Sequence, residues 1–119
     1  MPKSFGRNER VAASVRREVS DIILNEIKDP RVKKATVTEV SVSPDLRNAR
    51  IYISFLTDSE DDIKSAMEGL QSAQGFVRSA LASRLKLRYM PNIHFIFDKL
   101  LSESMKLDAL IAKGLGRAD

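Results

Sequence analysis

An α+β two-layer domain, with helices on one face of a small three-stranded sheet, is predicted for this chain of 119 residues. Three observations predict it. Apolar residues recur at helical spacing near the start of the chain. Two β-branched, alternating stretches follow, separated by turn formers. A long helical stretch, interrupted near its centre, then leads to a third alternating stretch. The length suits one domain over 1–119 with a single core over about 7–112, leaving 1–6 and 113–119 as expected flexible ends.

The first helix is expected over Asn8 to Ile27. Val11, Val15, Val19, Ile22, Ile23 and Ile27 lie along one stripe. Arg10, Arg17 and Lys28 fall together on the opposite face, diluted by Asp21. Asp29-Pro30 stops the helix, because a residue before proline disfavours the helical region. Thr36, Val37, Thr38, Val40 and Val42 then suit a pleated surface. Ser43-Pro44-Asp45-Leu46-Arg47-Asn48 is rich in turn formers, and Ala49 to Leu56 alternates as a second strand, so the pair reads as an antiparallel hairpin.

Ser59 is a candidate N-cap for the next helix, and Glu60, Asp61 and Asp62 suit the positive end of its dipole. Consecutive helical carboxylates splay round the axis, so this cluster does not read as a metal site. Ile63, Ala66, Met67 and Leu70 form one apolar stripe; Phe76, Val77, Ala80, Leu81 and Leu85 form another. Between them lies Ser72-Ala73-Gln74-Gly75. A glycine inside a helix costs roughly 1 kcal/mol against alanine, which predicts a break at this point. Two readings of the break stand side by side: a helix corner that binds nothing, and an open backbone facing a phosphate. Arg84 falls near the apolar stripe, with its guanidinium expected to reach water or the last carbonyls of the helix. Ile93, Phe95 and Phe97 alternate as the third strand, which carries the lone histidine, His94, as a packed or surface residue. A short helix over Ser102 to Lys113 and a frayed end from Gly114 complete the chain.

The formal charge of +4 and isoelectric point of about 9.6 favour an anionic partner. The distribution says more. Lys3 to Arg17 holds five basic residues and one acid; Phe76 to Met90 holds Arg78, Arg84, Lys86 and Arg88 and no acid. The acids gather from Asp58 to Glu68, so the molecule is expected to be electrically two-sided, as a nucleic-acid binder would be. The absence of cysteine excludes a disulfide framework or thiolate metal site and agrees with a reducing cytoplasm. No secretory signal or bilayer-spanning apolar run is present. There is no Gly-rich loop followed by Lys-Ser or Lys-Thr and no Gly-x-Ser-x-Gly, so the chain reads as a binding protein without cofactor or metal, not an enzyme. Only Tyr52 and Tyr89 look available for stacking, which does not make a broad aromatic platform.

The element order with its helix–kink–helix resembles a type II KH domain, in which a Gly-x-x-Gly loop clamps the nucleic-acid backbone. Here Ala73-Gln74-Gly75 stands instead, and an Ala-x-Gly kink resembles the bacterial ribosome-binding factor A family. Arg7-Asn8-Glu9-Arg10-Val11, Asp29-Pro30-Arg31, Val40 to Leu46, Ala49 to Ser54, Gly75-Phe76-Val77-Arg78, Leu85 to Pro91, Phe95 to Asp98 and Met105 to Ile111 carry the likeness from about Arg7 to Ile111. Leu100 and Ser104 depart from it, where the family often has serine and glycine, and no long basic C-terminal extension follows. The resemblance implies a three-stranded mixed sheet. It further implies a non-catalytic, cytoplasmic factor that binds the free small (30S) ribosomal subunit and favours late maturation of the 5′-terminal region of its 16S rRNA, with an association to growth in the cold.

The expected RNA contacts combine both readings. Arg10, Arg17, Lys28, Arg31, Lys33, Lys34, Arg78, Arg84, Lys86 and Arg88 are phosphate candidates, and Gln74 and Gly75 offer groups at the kink motif Ala73–Gly75. No membrane or small-molecule partner is expected, and a monomer is. The alternative is a protein–protein adaptor whose basic surface docks on acidic partners without touching RNA.

Overall fold

The computed structural model describes residues 6–57 and 59–99; the expected terminal helix lies outside them, as do Leu100 and Ser104. The element order is α1 (Arg7–Asn25), a 3-10 turn (Pro30–Val32), β1 (Thr36–Val42), β2 (Asn48–Ser54), α2 (Glu60–Ser72), α3 (Gln74–Leu85) and β3 (Asn92–Phe97). This is the expected α+β domain.

In α1 the predicted stripe is the buried one: Val15, Val19 and Ile22 are fully enclosed, and Ile23 nearly so. The helix ends at Asn25, two residues sooner than its periodicity suggests, although Ile27 stays buried through a bond from its N–H to the Ile22 carbonyl (3.2 Å). Lys28 therefore follows the helix and does not share a helical face with Arg10 and Arg17. The Asp29 carboxylate accepts from the Arg31 N–H (2.9 Å) and starts the 3-10 turn, which drives Val32 into the core.

β1 and β2 pair antiparallel, with Val42 opposite Ala49 and Val40 opposite Ile51. The register shifts between Val37 and Glu39. Val37 and Val40 have opposite parity, so a regular strand would send one of them to water. The extra residue, Thr38, lets both pack on the core side, and its hydroxyl donates to the Tyr52 carbonyl (3.2 Å). β3 runs parallel to β2, pairing Ala49 with Ile93, Ile51 with Phe95 and Ile53 with Phe97, which gives a mixed sheet of order β1-β2-β3.

The alternating residues Val40, Val42, Ala49, Ile51, Ile53, Ile93 and Phe95 form one wall of the core, and Val15, Val19, Ile22, Ala66, Leu70, Val77 and Leu81 from the helices form the other. Glu39, Ser41, Arg50 and His94 are exposed on the opposite side of the sheet. His94 is a surface residue there, with its Nε2 3.1 Å from Asn48 Oδ1.

The helix pair breaks as expected, but at Ala73 (φ −88°, ψ 0°), not at Gly75. Gly75 is the second residue of α3, has a negative φ, and a methyl group built on it meets nothing within 4 Å. The glycine that packing demands is Gly69 in α2, where a Cβ would lie 3.0 Å from Val32 Cγ1 and 3.2 Å from an Asp29 carboxylate oxygen. Val32 is fully buried and has no room to yield. Gly69→Ala is therefore expected to destabilise by about 1–2 kcal/mol net, overpacking outweighing the gain in helix propensity. Gly75→Ala should leave stability unchanged or raise it by up to about 1 kcal/mol. Urea unfolding of both variants beside the parent chain checks the pair.

Candidate nucleic-acid interface

Three segments meet at one end of the sheet. The first is the N-terminus of α1, tied down by Asn8, whose side-chain amide donates to the Val42 carbonyl (3.0 Å). The second is the hairpin turn. There Leu46 adopts a left-handed conformation (φ 62°), which costs a non-glycine residue of order 1 kcal/mol. Around it Ser43 Oγ donates to Asp45 (2.6 Å) and accepts from the Asn48 N–H (3.1 Å), while Asp45 also accepts from the Arg47 N–H (3.0 Å). The third is the connection from α3 to β3, which opens with Lys86 in a left-handed cap (φ 53°). Arg78 holds this connection to α3 by donating to the carbonyls of Met90 (2.8 Å) and Pro91 (3.2 Å), and the Asn92 N–H donates to the Arg47 carbonyl (2.8 Å).

Between these segments runs a groove of about 740 Å³ whose lining includes Arg7, Arg47, Arg78, Arg88 and Tyr89. A smaller hollow of about 370 Å³ between Arg7, Arg10 and Leu85 continues it along α1. Among the described residues, Asp45 is the one acid in the lining. The Ser43 hydroxyl and the Arg47 N–H hold its carboxyl below the usual carboxylate range, so it stays ionised as a single negative charge among the guanidinium groups. The groove is thus a concave surface with an excess of guanidinium groups.

Of the expected contacts, Arg10, Arg78 and Arg88 come together here, with the exposed Lys86 two residues before Arg88. Arg7 and Arg47 join them. Arg47 carries no local signal of this role, because it sits in a segment legible only as a turn. Lys28, Arg31, Lys33 and Lys34 lie past the other end of α1, a helix of 19 residues and so about 28 Å long. Arg31 is paired there with Asp29 through its Nε and Nη2 (2.6–3.0 Å). Arg17 lies on α1 beside Glu18 (3.2 Å). The side-chain amide of Gln74 donates to the Ile93 carbonyl, tying the kink to β3, while Gly75 is exposed.

Arg84 is solvent-exposed, but among the described residues its hydrogen bonds go to carboxylates and not to the carbonyls of its own helix. Its guanidinium bridges to α1, meeting Glu18 (3.0 Å), Asp21 (2.7 Å) and Glu26. With three carboxylates around its guanidinium, Arg84 braces α3 against α1.

Among the described residues, no group of three or more His, Asp or Glu could hold a metal ion, and no helix is long and apolar enough to cross a membrane. The family model of ribosome-binding factor A matches residues 7–111.

The chain belongs to the ribosome-binding factor A family.

Among curated members, the ribosome-binding factor A of Acetivibrio thermocellus is 44% identical over 106 residues, which cover 88% of this chain and 85% of that protein. The Shewanella loihica protein is 37% identical over 113 residues, covering 95% and 81%. Among solved structures, that of Thermotoga maritima TM0855, described as a putative ribosome binding factor A, superposes with a TM-score of 0.70 at 33% identity, covering 83% of this chain and 92% of that one. A homology model of the Thermus thermophilus factor, fitted into a cryo-electron microscopy map of its complex with the 30S subunit, gives 0.59 at 27% identity, covering 71% and 87%. The helix–kink–helix and mixed sheet are the KH-like fold shared by these factors.

The Arg84 brace has a pH signature. Hydrogen bonds from Arg84 are the largest cause holding the carboxyls of Glu18 and Asp21 below their ordinary values of 4.5 and 3.8. Carboxylates with depressed folded-state pKa values add stability above those ordinary values and lose it as pH falls through the folded ones. The melting temperature of Arg84→Gln should therefore lie below that of the parent at pH 7. The gap should narrow as pH falls below about 4.5 and close once both carboxyls are protonated in the folded protein, which thermal melts from neutral to acid pH would check.

Proposed function

We propose that this chain binds the free small ribosomal subunit, touching its 16S rRNA along the arginine-lined groove, and promotes late maturation of the 5′-terminal region of that RNA in the cytoplasm. The observation that carries the proposal is the groove itself, a concave surface on which five arginines face one internally satisfied carboxylate. Membership of the family supports the choice of partner, as does the Thermus thermophilus relative fitted into a 30S complex.

The action proposed is binding without catalysis. A factor that holds one conformation of an RNA more tightly than another shifts its population by the difference in affinity. Misfolded RNA helices rearrange more slowly when thermal energy is low, so such help matters most in the cold. Phosphate contacts fix position and carry no base information, so arginines at the groove orient the factor on its site. Lys33 and Lys34, past the other end of α1, belong to a second and weaker zone in this reading.

Co-sedimentation with free small subunits, large subunits and assembled ribosomes tests the reading. Selective retention on free small subunits is expected, and RNase treatment should abolish it, whereas an adaptor docked on protein would survive. The double variant Lys86→Glu/Arg88→Glu should weaken binding about tenfold or more at moderate salt and reduce the slope of log affinity against log salt by about 2. Unchanged affinity and slope would remove both residues from the interface.

A further inference from the structure

We infer that the groove at the N-terminus of α1 receives an unpaired nucleotide, its base stacked on Tyr89 and its flanking phosphates held by Arg7, Arg47 and Arg88. This rests on the RNA-binding reading and adds what the phosphate contacts alone do not supply, a preference for single-stranded RNA.

Tyr89 carries the inference. The chain has two tyrosines, five phenylalanines and no tryptophan. Phe55 and Phe95 are buried, Tyr52 is partly buried in the sheet, and the exposed Phe76 on α3 does not line the groove. Tyr89 is 73% exposed, and its hydroxyl makes no hydrogen bond among the described residues. A large aromatic ring left in water contributes nothing to the core. It is nevertheless held in place: the guanidinium carbon of Arg88 lies 5.5 Å from its ring centroid, within reach of a cation–π contact, and Arg78 clamps the two residues that follow. A ring that is exposed yet positioned offers a ready π-face at little entropic cost.

Its surroundings suit one nucleotide. The groove volume of about 740 Å³ falls within the ~300–1,000 Å³ typical of small-ligand sites. Asn92, exposed at the start of β3, offers both a donor and an acceptor to a base edge. Arg7 and Arg47 stand in the lining as phosphate partners, and neither forms an ion pair among the described residues. A paired stretch of RNA keeps its base faces stacked inside the helix and has none to give Tyr89; a looped or terminal nucleotide has. An acidic protein segment would satisfy the arginines but make no use of the free ring.

The test uses the full chain, free small subunits, and a ten-nucleotide RNA presented single-stranded or as a duplex. Base–aromatic stacking is worth about 1–3 kcal/mol, so Tyr89→Ala should bind small subunits about 5- to 150-fold more weakly with an unchanged salt slope. Tyr89→Phe keeps the ring and should restore binding to within about twofold. Arg50→Glu, on the open face of the sheet, should bind as the parent does. Tyr89→Trp creates a lone tryptophan whose fluorescence the single strand should quench and the duplex should not. Parental affinity in Tyr89→Ala, with its fold confirmed by thermal melting, overturns the inference and leaves the RNA reading standing. So does equal quenching by duplex. Displacement of the subunit by poly-glutamate but not by single-stranded RNA also overturns it, in favour of a protein partner. A parent chain that binds neither subunits nor RNA fails earlier, at the RNA reading itself.

Discussion

Parallel pairing of β3 with β2 cannot be closed by a short turn, and most of the architecture depends on that constraint. The chain must return along the length of the sheet before it can pair again, and it does so through α2 and α3. The two helices and α1 share one layer, which supplies the apolar cover for one face of the sheet and leaves Arg50 and His94 exposed on the other. The return also fixes where the groove forms. β3 begins beside the start of β2, so the connection from Lys86 to Pro91 arrives next to the hairpin turn and the first residues of α1. Three segments far apart in sequence contribute arginines to one place because the strand order leaves them no other.

Charge is sorted by geometry as much as by composition. Arg84, Arg31 and Arg17 have carboxylate partners within their own protein; Arg7, Arg10, Arg47 and Arg88 have none among the described residues. The first group stabilises contacts between elements or within turns, modestly where solvent screens it. The second group sits close together, where mutual repulsion slightly opposes folding and a polyanion relieves it. A net charge of +4 understates this difference, because internal pairing cancels the basic residues unevenly.

Much of the fold was legible because its signals are local. The stripe from Val11 to Ile27 carries the helical period, and Ala49 to Phe55 and Ile93 to Phe97 carry the strand period. The break between α2 and α3 was legible from composition, but its position was displaced, since Gly75 is an ordinary member of the first turn of α3 and Ala73 is the corner. The role of Gly69 was not legible, because it arises from Val32, 37 residues earlier in the chain and brought close only by tertiary packing. The same limit hid the Arg84 brace, whose partners lie 58 to 66 residues away. In the candidate site, Arg10, Arg78 and Arg88 were foreseeable from charge runs. Arg47 was not, since its place in the groove follows from the hairpin register. The bulge left one faint trace, the opposite parity of Val37 and Val40.

That bulge has another consequence. Among the described residues β1 is an edge strand, and an edge offers backbone N–H and C=O groups to any chain that can align with them. A straight β1 would present seven residues in register to a second molecule. The insertion at Thr38 breaks the run in two, and the exposed Glu39 beside it places a charge where an incoming strand would have to pack. The device that keeps two valines in the core thus also works against edge-to-edge stacking of one copy on another.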